Sequence, residues 1–369
     1  MIPFLNLGAA YEELRAPIDA ALSRVLNSGY FVLGPEVETF EQAFANWVQA
    51  DHCVSCGNGL DAIAMALQAV GVQPGDEVIV PSHTFIATWL AVSKLGAVPV
   101  PVEPAPGSFN VDADGIERAI TPATRAVLIV HLYGHPAPVD RILEVTRARG
   151  LKLIEDAAQA HGATCQGRRI GGFSDATTWS FYPAKNLGAM GDGGAVTTND
   201  ADVAQRIRSL RNYGSQVKNY NDLKGINSRL DPIQAAVLGA KLPHLDAWNA
   251  RRQAIAERYN DAFADLPLTL PSQAPWASAV WHLYVLQSPH RDELVRRLTD
   301  AGVQTQIHYP VAVHRQAAYA EFGDRVALPI AERMAAEVFS LPIGPHMTPA
   351  DVERVIEQVR RVVAEVAAA

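Results

Sequence analysis

Lys185 lies in the segment Trp179-Ser180-Phe181-Tyr182-Pro183-Ala184-Lys185-Asn186-Leu187-Gly188, followed by Met190-Gly191-Asp192-Gly193-Gly194. A lysine in a tight Gly-rich segment, among aromatic residues rather than solvated ones, has the chemistry of an imine-forming amine. Upstream, the apolar run Leu151-Lys152-Leu153-Ile154 ends in Glu155-Asp156. A carboxylate at a strand end can hold a pyridine nitrogen protonated, and Gln159 just beyond it can donate to a phenolic oxygen. Pyridoxal phosphate (PLP) bound through a lysine needs an amine, an acid for the ring nitrogen, and amides and hydroxyls for the phosphate. Ser180 offers a hydroxyl. Gly57-Asn58-Gly59-Leu60-Asp61-Ala62 follows a short strand and opens a helix, so the Gly59 and Leu60 amides are expected to form an anion site. Phe85, in Thr84-Phe85-Ile86-Ala87-Thr88, stands where a ring can stack on a flat cofactor.

The Gly57 segment also satisfies the dinucleotide pattern G-x-G-x-x-A. That reading needs an acid at the end of the next strand. Glu77 instead precedes Val78-Ile79-Val80, and the strand runs into Pro81-Ser82-His83. The Rossmann reading is therefore disfavoured.

The elements that must position these residues alternate. Apolar runs at 77–80, 97–100, 126–130 and 151–154 read as strands, with helices over 61–70, 84–95 and 138–149 between them. Such alternation predicts an α/β domain with a mostly parallel sheet and functional residues at strand C-terminal ends. Amphipathic helices flank a Gly-rich break at 28–35. Past Pro232 the texture turns helical (234–242, 246–263, 291–301, 349–367), with a strand expected over Ala279–Leu286. The expected division is a large α/β domain, 1–240, and a smaller C-terminal α+β domain, 241–369.

The formal charge of −8, from 31 basic and 39 acidic residues, argues against a nucleic-acid partner, and no Lys/Arg block offsets it. The N-terminal segment has neither a basic n-region nor an apolar h-region, and no run reaches membrane-spanning length. A soluble cytoplasmic protein is expected. Cys53-Val54-Ser55-Cys56 reads as core cysteines at a strand, because it runs into the Gly57 turn and lacks a redox setting. His131, His135 and His161 do not share a helix face. No metal is expected there, but packing or substrate contact.

Taken together, these segments resemble the DegT/StrS family of sugar aminotransferases, fold-type-I PLP enzymes. The likeness runs from Gly29-Tyr30-Phe31-Val32-Leu33-Gly34-Pro35 to Ile307-His308-Tyr309-Pro310 and includes Asn227-Ser228-Arg229-Leu230-Asp231. The resemblance implies Lys185 as the internal-aldimine lysine and Asp156 as the pyridine partner. It implies Gln159 at the ring oxygen, with Ser180 and the Gly59 and Leu60 amides at the phosphate. It also implies a homodimer with shared active sites, Asn227 reaching the phosphate of the neighbouring subunit.

The segments Val130–Gly134, Lys185–Gly194 and Leu210–Ser215 look like the branch that aminates C3 of nucleotide-linked 3-keto-6-deoxyhexoses, though His135 and Met190 replace that branch's usual Gln and Leu. The expected reaction moves an amino group from L-glutamate to a nucleotide-linked keto-sugar, most simply C3 of a dTDP-3-keto-6-deoxyhexose. Such products serve lipopolysaccharide, other glycans or antibiotics. Amination at C4 of a UDP- or GDP-linked sugar and a non-catalytic PLP-binding regulator are the alternatives. Arg229, Tyr220, His308, Tyr309 and the segment Lys218–Asn221 are candidate sugar-nucleotide contacts.

Overall fold

The computed structural model describes residues 1–217 and 219–368. Its centre is a seven-stranded sheet of β1 (His52–Cys56), β2 (Glu77–Pro81), β3 (Val98–Val102), β4 (Thr124–Val130), β5 (Lys152–Asp156), β6 (Ala176–Ser180) and β7 (Gly194–Thr198). The order is β1-β7-β6-β5-β4-β2-β3. Strands β6, β5, β4, β2 and β3 run parallel, and β7 pairs antiparallel with both β1 and β6. Parallel strands covered on both faces must be apolar on both faces, which is why β4 reads as an unbroken run from Ala126 to Val130.

Alternate residues feed two cores. Val127, Ile129 and Leu153 join Phe40, Phe44 and Trp179 on one face; Leu128, Ile154, Val78 and Val80 join Ile63, Leu67 and Trp89 on the other. Cys53 and Cys56 follow the same alternation and are buried in opposite cores. Burial pushes both thiols up, Cys56 to about 12, so neither is a reactive thiolate.

A third core gathers Ile2 with residues between Ile255 and Val363, around the antiparallel pair Tyr284–Gln287 and Val338–Leu341. The last helix, Pro349–Ala367, starts with a reciprocal cap in which Thr348 and Asp351 satisfy each other's backbone amides.

The expected strand over Ala279–Leu286 is corrected: only Tyr284–Gln287 is a strand. Trp281 sits at φ +48°, outside extended backbone, and Val280 N–H donates to the Gly134 carbonyl at 3.0 Å rather than to a sheet partner. Among the described residues, no helix is long and apolar enough to cross a membrane.

Candidate active site

The C-terminal ends of β5 and β6 carry the site. Asp156 closes β5 and is buried. Its Oδ1 accepts from Ala158 N–H at 3.1 Å and its Oδ2 from the Thr88 hydroxyl at 3.3 Å; Thr88 in turn lies 2.9 Å from the Thr84 hydroxyl. Burial raises the Asp156 carboxyl, against the lowering effects of the Ala158 amide and of Lys185. A buried carboxylate held in this way is suited to a cationic partner.

Ser180 closes β6, and the chain then turns through the Lys185 loop. Phe181 N–H bonds to the Gly193 carbonyl at 2.7 Å, Lys185 N–H to Tyr182 at 2.8 Å, and Ala189 N–H to Phe181 at 2.8 Å. Gly188 is required here, since a Cβ on it would fall 2.3 Å from the Pro183 carbonyl oxygen. Burial lowers the Lys185 amine to about 8, with Asp156 acting in the opposite direction. A neutral, nucleophilic amine is thus within reach of ordinary pH.

The helix Gly59–Ala69 points its N-terminus at the same place. Asn58 caps it through the Asp61 amide at 2.9 Å, which leaves the Gly59 and Leu60 amides without intrahelical acceptors. Gly59 lies so close to β6 that an added Cβ would meet Ser180 Cβ at 2.8 Å. The two free amides and the serine therefore form one cradle for an anion.

These residues line a cleft of about 360 Å³ with Phe85, Gln159, Tyr309, Ala158 and Tyr182. Phe85 is 53% exposed, a large ring left open at the cleft, and its centroid is 5.4 Å from that of Tyr309. Gln159 is fixed at both ends: its Oε1 accepts from Tyr133 N–H at 2.6 Å and its Nε2 donates to the Tyr309 hydroxyl at 3.1 Å. The anion cradle, the open ring, the buried acid and the weakly basic amine fit a flat, phosphorylated aldehyde with a protonatable ring.

Lys185, Asp156, Gly59, Leu60, Phe85, Gln159, Ser180 and Tyr309 thus converge. Four expected residues are not part of the cleft wall. His308 lies behind Tyr309, its Nδ1 2.8 Å from the Ser340 hydroxyl and its carbonyl accepting from the Tyr133 hydroxyl. Asn227 bridges to Asn212, and Arg229 donates to Asn212 Oδ1 at 2.9 Å. Tyr220 stands 70% exposed on a hairpin with Ser215–Val217; Lys218 lies outside the described residues.

The histidines pack elsewhere: His131 bonds Glu155 at 3.0 Å, His135 faces Trp281, and His161 sits among Phe44, Trp179 and Phe181. Thr88 and Tyr133 escaped the sequence reading as site residues, because their partners are far away in the chain.

The sequence profile of the DegT/DnrJ/EryC1/StrS aminotransferase family matches residues 12–360. The chain belongs to this family. It is 56% identical over 357 residues to the erythromycin biosynthesis sensory transduction protein EryC1 of Saccharopolyspora erythraea, covering 96% of this chain and 98% of that one. It is 54% identical over 361 residues to the dTDP-3-amino-3,4,6-trideoxy-alpha-D-glucose transaminase of Streptomyces venezuelae, covering 97% and 95%.

The crystal structure of S. venezuelae DesV in complex with a ketimine intermediate superposes with a TM-score of 0.96, at 54% identity and 98% coverage of both chains. Bacillus subtilis NtdA with bound PMP gives 0.92, at 34% identity over 98% of this chain and 85% of that one. This is the α/β fold of the PLP aminotransferases, as the strand alternation and the family resemblance implied.

Proposed function

We propose that this protein aminates C3 of a dTDP-linked 3-keto-6-deoxyhexose, with L-glutamate as donor and PLP as cofactor. The observation that carries the reading is the convergence of Lys185, Asp156 and the Gly59–Ser180 cradle in one cleft, in a chain 54% identical to a transaminase named for a dTDP-3-amino sugar. Bound PLP supplies the carbonyl that takes up an amino group and the ring that delocalises the resulting charge.

The protein's residues do the rest. The Gly59 and Leu60 amides and Ser180 hold the phosphate. Phe85 would stack on the ring, and the Asp156 carboxylate would accept from its protonated nitrogen and balance that charge. Gln159, already braced by Tyr133 and Tyr309, orients the ring oxygen. Lys185 Nζ would hold the aldehyde group and, as a free neutral amine, would take a proton from the donor carbon and return it as its conjugate acid. Its position in a buried site keeps that amine poised near the working pH.

The same reading assigns a cytoplasmic homodimer, with units of 1–240 and 241–369. Asn227, Tyr220 and Arg229 then serve the site of the neighbouring subunit, which accounts for their absence from the cleft wall of their own chain. Amination at C4 of a UDP- or GDP-linked sugar would use the same residues and differ only in the bound sugar.

The first test is the visible spectrum of the purified protein before and after excess L-glutamate. A yellow band that glutamate bleaches is the expected result, and product NMR then identifies the carbon carrying nitrogen. Absence of any band after PLP addition would remove the cofactor and the proposal with it. A band that glutamate leaves unchanged would favour a regulator or another donor.

A further inference from the structure

Lys185 borders two spaces. One is the cleft described above. The other, a rear cavity of about 260 Å³, is lined by Asn6, Lys241 and Arg252 among others and shares only Lys185 with the cleft. A flexible four-carbon side chain needs something to decide between them.

The next residue, Asn186, is buried and saturated with hydrogen bonds. Its Nδ2 donates to Asn249 Oδ1 at 2.9 Å and to the Val280 carbonyl at 2.9 Å, and its Oδ1 lies 3.1 Å from His282 Nδ1. Both amide hydrogens are used, so Oδ1 must accept, and this assigns the His282 proton to Nδ1. Asn249 extends the connection, donating through Nδ2 to the His161 carbonyl at 2.8 Å. His161 ends the segment that begins at Asp156. A chain of polar contacts therefore joins the Lys185 loop, the helix Leu245–Phe263, the segment after β5 and the 280–282 segment.

The far anchors are fixed. Arg252 Nη1 donates to the carbonyls of Trp281, His282 and Ile343 at 3.2, 3.4 and 3.0 Å. Gly134 lies so close beneath that a Cβ on it would sit 2.8 Å from His282 N. The His282 ring titrates well below the ordinary histidine range, because of burial and then of cationic Lys185 and Arg252. It therefore stays neutral, and its Nδ1–H remains a single donor.

We infer that Asn186, Asn249 and His282 form a positioning brace that aims the Lys185 amine into the catalytic cleft instead of the rear cavity. The brace's effect on turnover rests on the proposed function. The aim of the amine is a property of the chain itself.

The test therefore starts with cofactor-free protein. Reductive methylation by formaldehyde and cyanoborohydride, read by peptide mass spectrometry against pH, reports the titration of Lys185. Wild type is expected to turn on near about 8. Asn186→Ala and His282→Leu let the side chain swing away from Asp156, which favours its charge, and toward Lys241 and Arg252, so the midpoint should fall by at least about half a unit. His282→Asn keeps a donor where Nδ1 stood and should hold the wild-type midpoint.

In the PLP-loaded enzyme, Asn186→Ala and His282→Leu should lower kcat roughly 10- to 100-fold with KM within about twofold, while His282→Asn stays within about threefold. Unshifted midpoints in Asn186→Ala and His282→Leu, or a His282→Asn protein as impaired as His282→Leu, would overturn the brace. If wild type itself neither takes up PLP nor reacts with glutamate, the functional proposal fails, and the labelling still decides the brace.

Discussion

At the scale of single residues, the site is built at a cost to stability. Lys185 is an amine buried against its preference, lowered to about 8, with burial as the leading cause. The sign of the pH effect follows from linkage. An unfolded lysine stays protonated to about 10.4. Between the two values the unfolded chain binds more protons than the folded one, so stability rises as pH climbs from about 8 toward 10. Below that window the folded chain carries the full penalty. Lys185→Met should therefore abolish turnover yet raise the Tm of the cofactor-free protein at about pH 7 by roughly 2 °C, since one kcal/mol moves Tm by only a few degrees in a chain of this size. The gain is limited because Asp156 loses a cationic neighbour. It should shrink toward pH 10, and a gain equal at both pH values would assign it to packing alone. Such functional destabilisation is the expected pattern where an enzyme keeps a reactive group out of water.

At the scale of elements, the decisive contact is the seating of the Gly59–Ala69 helix on β6. With Gly59 in van der Waals range of Ser180, Gly59→Ala must push the helix start away from the serine, because the added Cβ would lie 2.8 Å from Ser180 Cβ. Cofactor titration followed by fluorescence should show affinity reduced by at least about tenfold, roughly 1.4 kcal/mol, with far-UV circular dichroism unchanged. Gly239→Ala, whose Cβ would meet nothing within 4 Å, is the matched control and should bind as wild type does. This element was legible in advance, since a capped helix after a short strand is a local pattern. So were the parallel strands, whose apolar runs reflect burial on both faces. Asp156 was legible for a related reason, because it ends such a run; Lys185 and Ser180 stood out through the Gly-rich, aromatic segment around them, although the strand Ala176–Ser180 beneath them, with few apolar residues, was not read. The stretch Ala279–Leu283 was not legible either. Its apolar character mimics a strand, but its backbone bonds go to Tyr133 and Gly134, partners that no local period reveals. Thr88, Asn186 and His282 were hidden in the same way, because their roles exist only where distant segments meet.

At the scale of the whole molecule, the open question is what covers the apolar residues that a single chain leaves in water. Tyr30, Phe31, Tyr182, Tyr213, Val217 and Tyr220 are each more than half exposed. Isolated exposed apolar residues need no explanation, but this set includes Tyr182 of the Lys185 loop and Tyr220, which the dimer reading places at a shared site. Asn227 belongs to the same region, bridged to Asn212 and absent from the cleft wall. If sites are shared, two inactive chains can repair each other. Lys185→Ala and Asn227→Ala proteins, each nearly inactive alone, would be mixed after dissociation and allowed to reassociate. In a closed two-fold dimer, half of the pairs are mixed, and each mixed pair contains one site with both residues intact. The mixture should recover about a quarter of the wild-type specific activity, and sedimentation should show dimers throughout. No recovery, with dimers present and exchange demonstrated by a mass tag, would place Asn227 in the service of its own chain. Recovery near a quarter would instead make each active centre the joint product of two copies, and the hairpin that looks idle in one chain would be the element that completes the other.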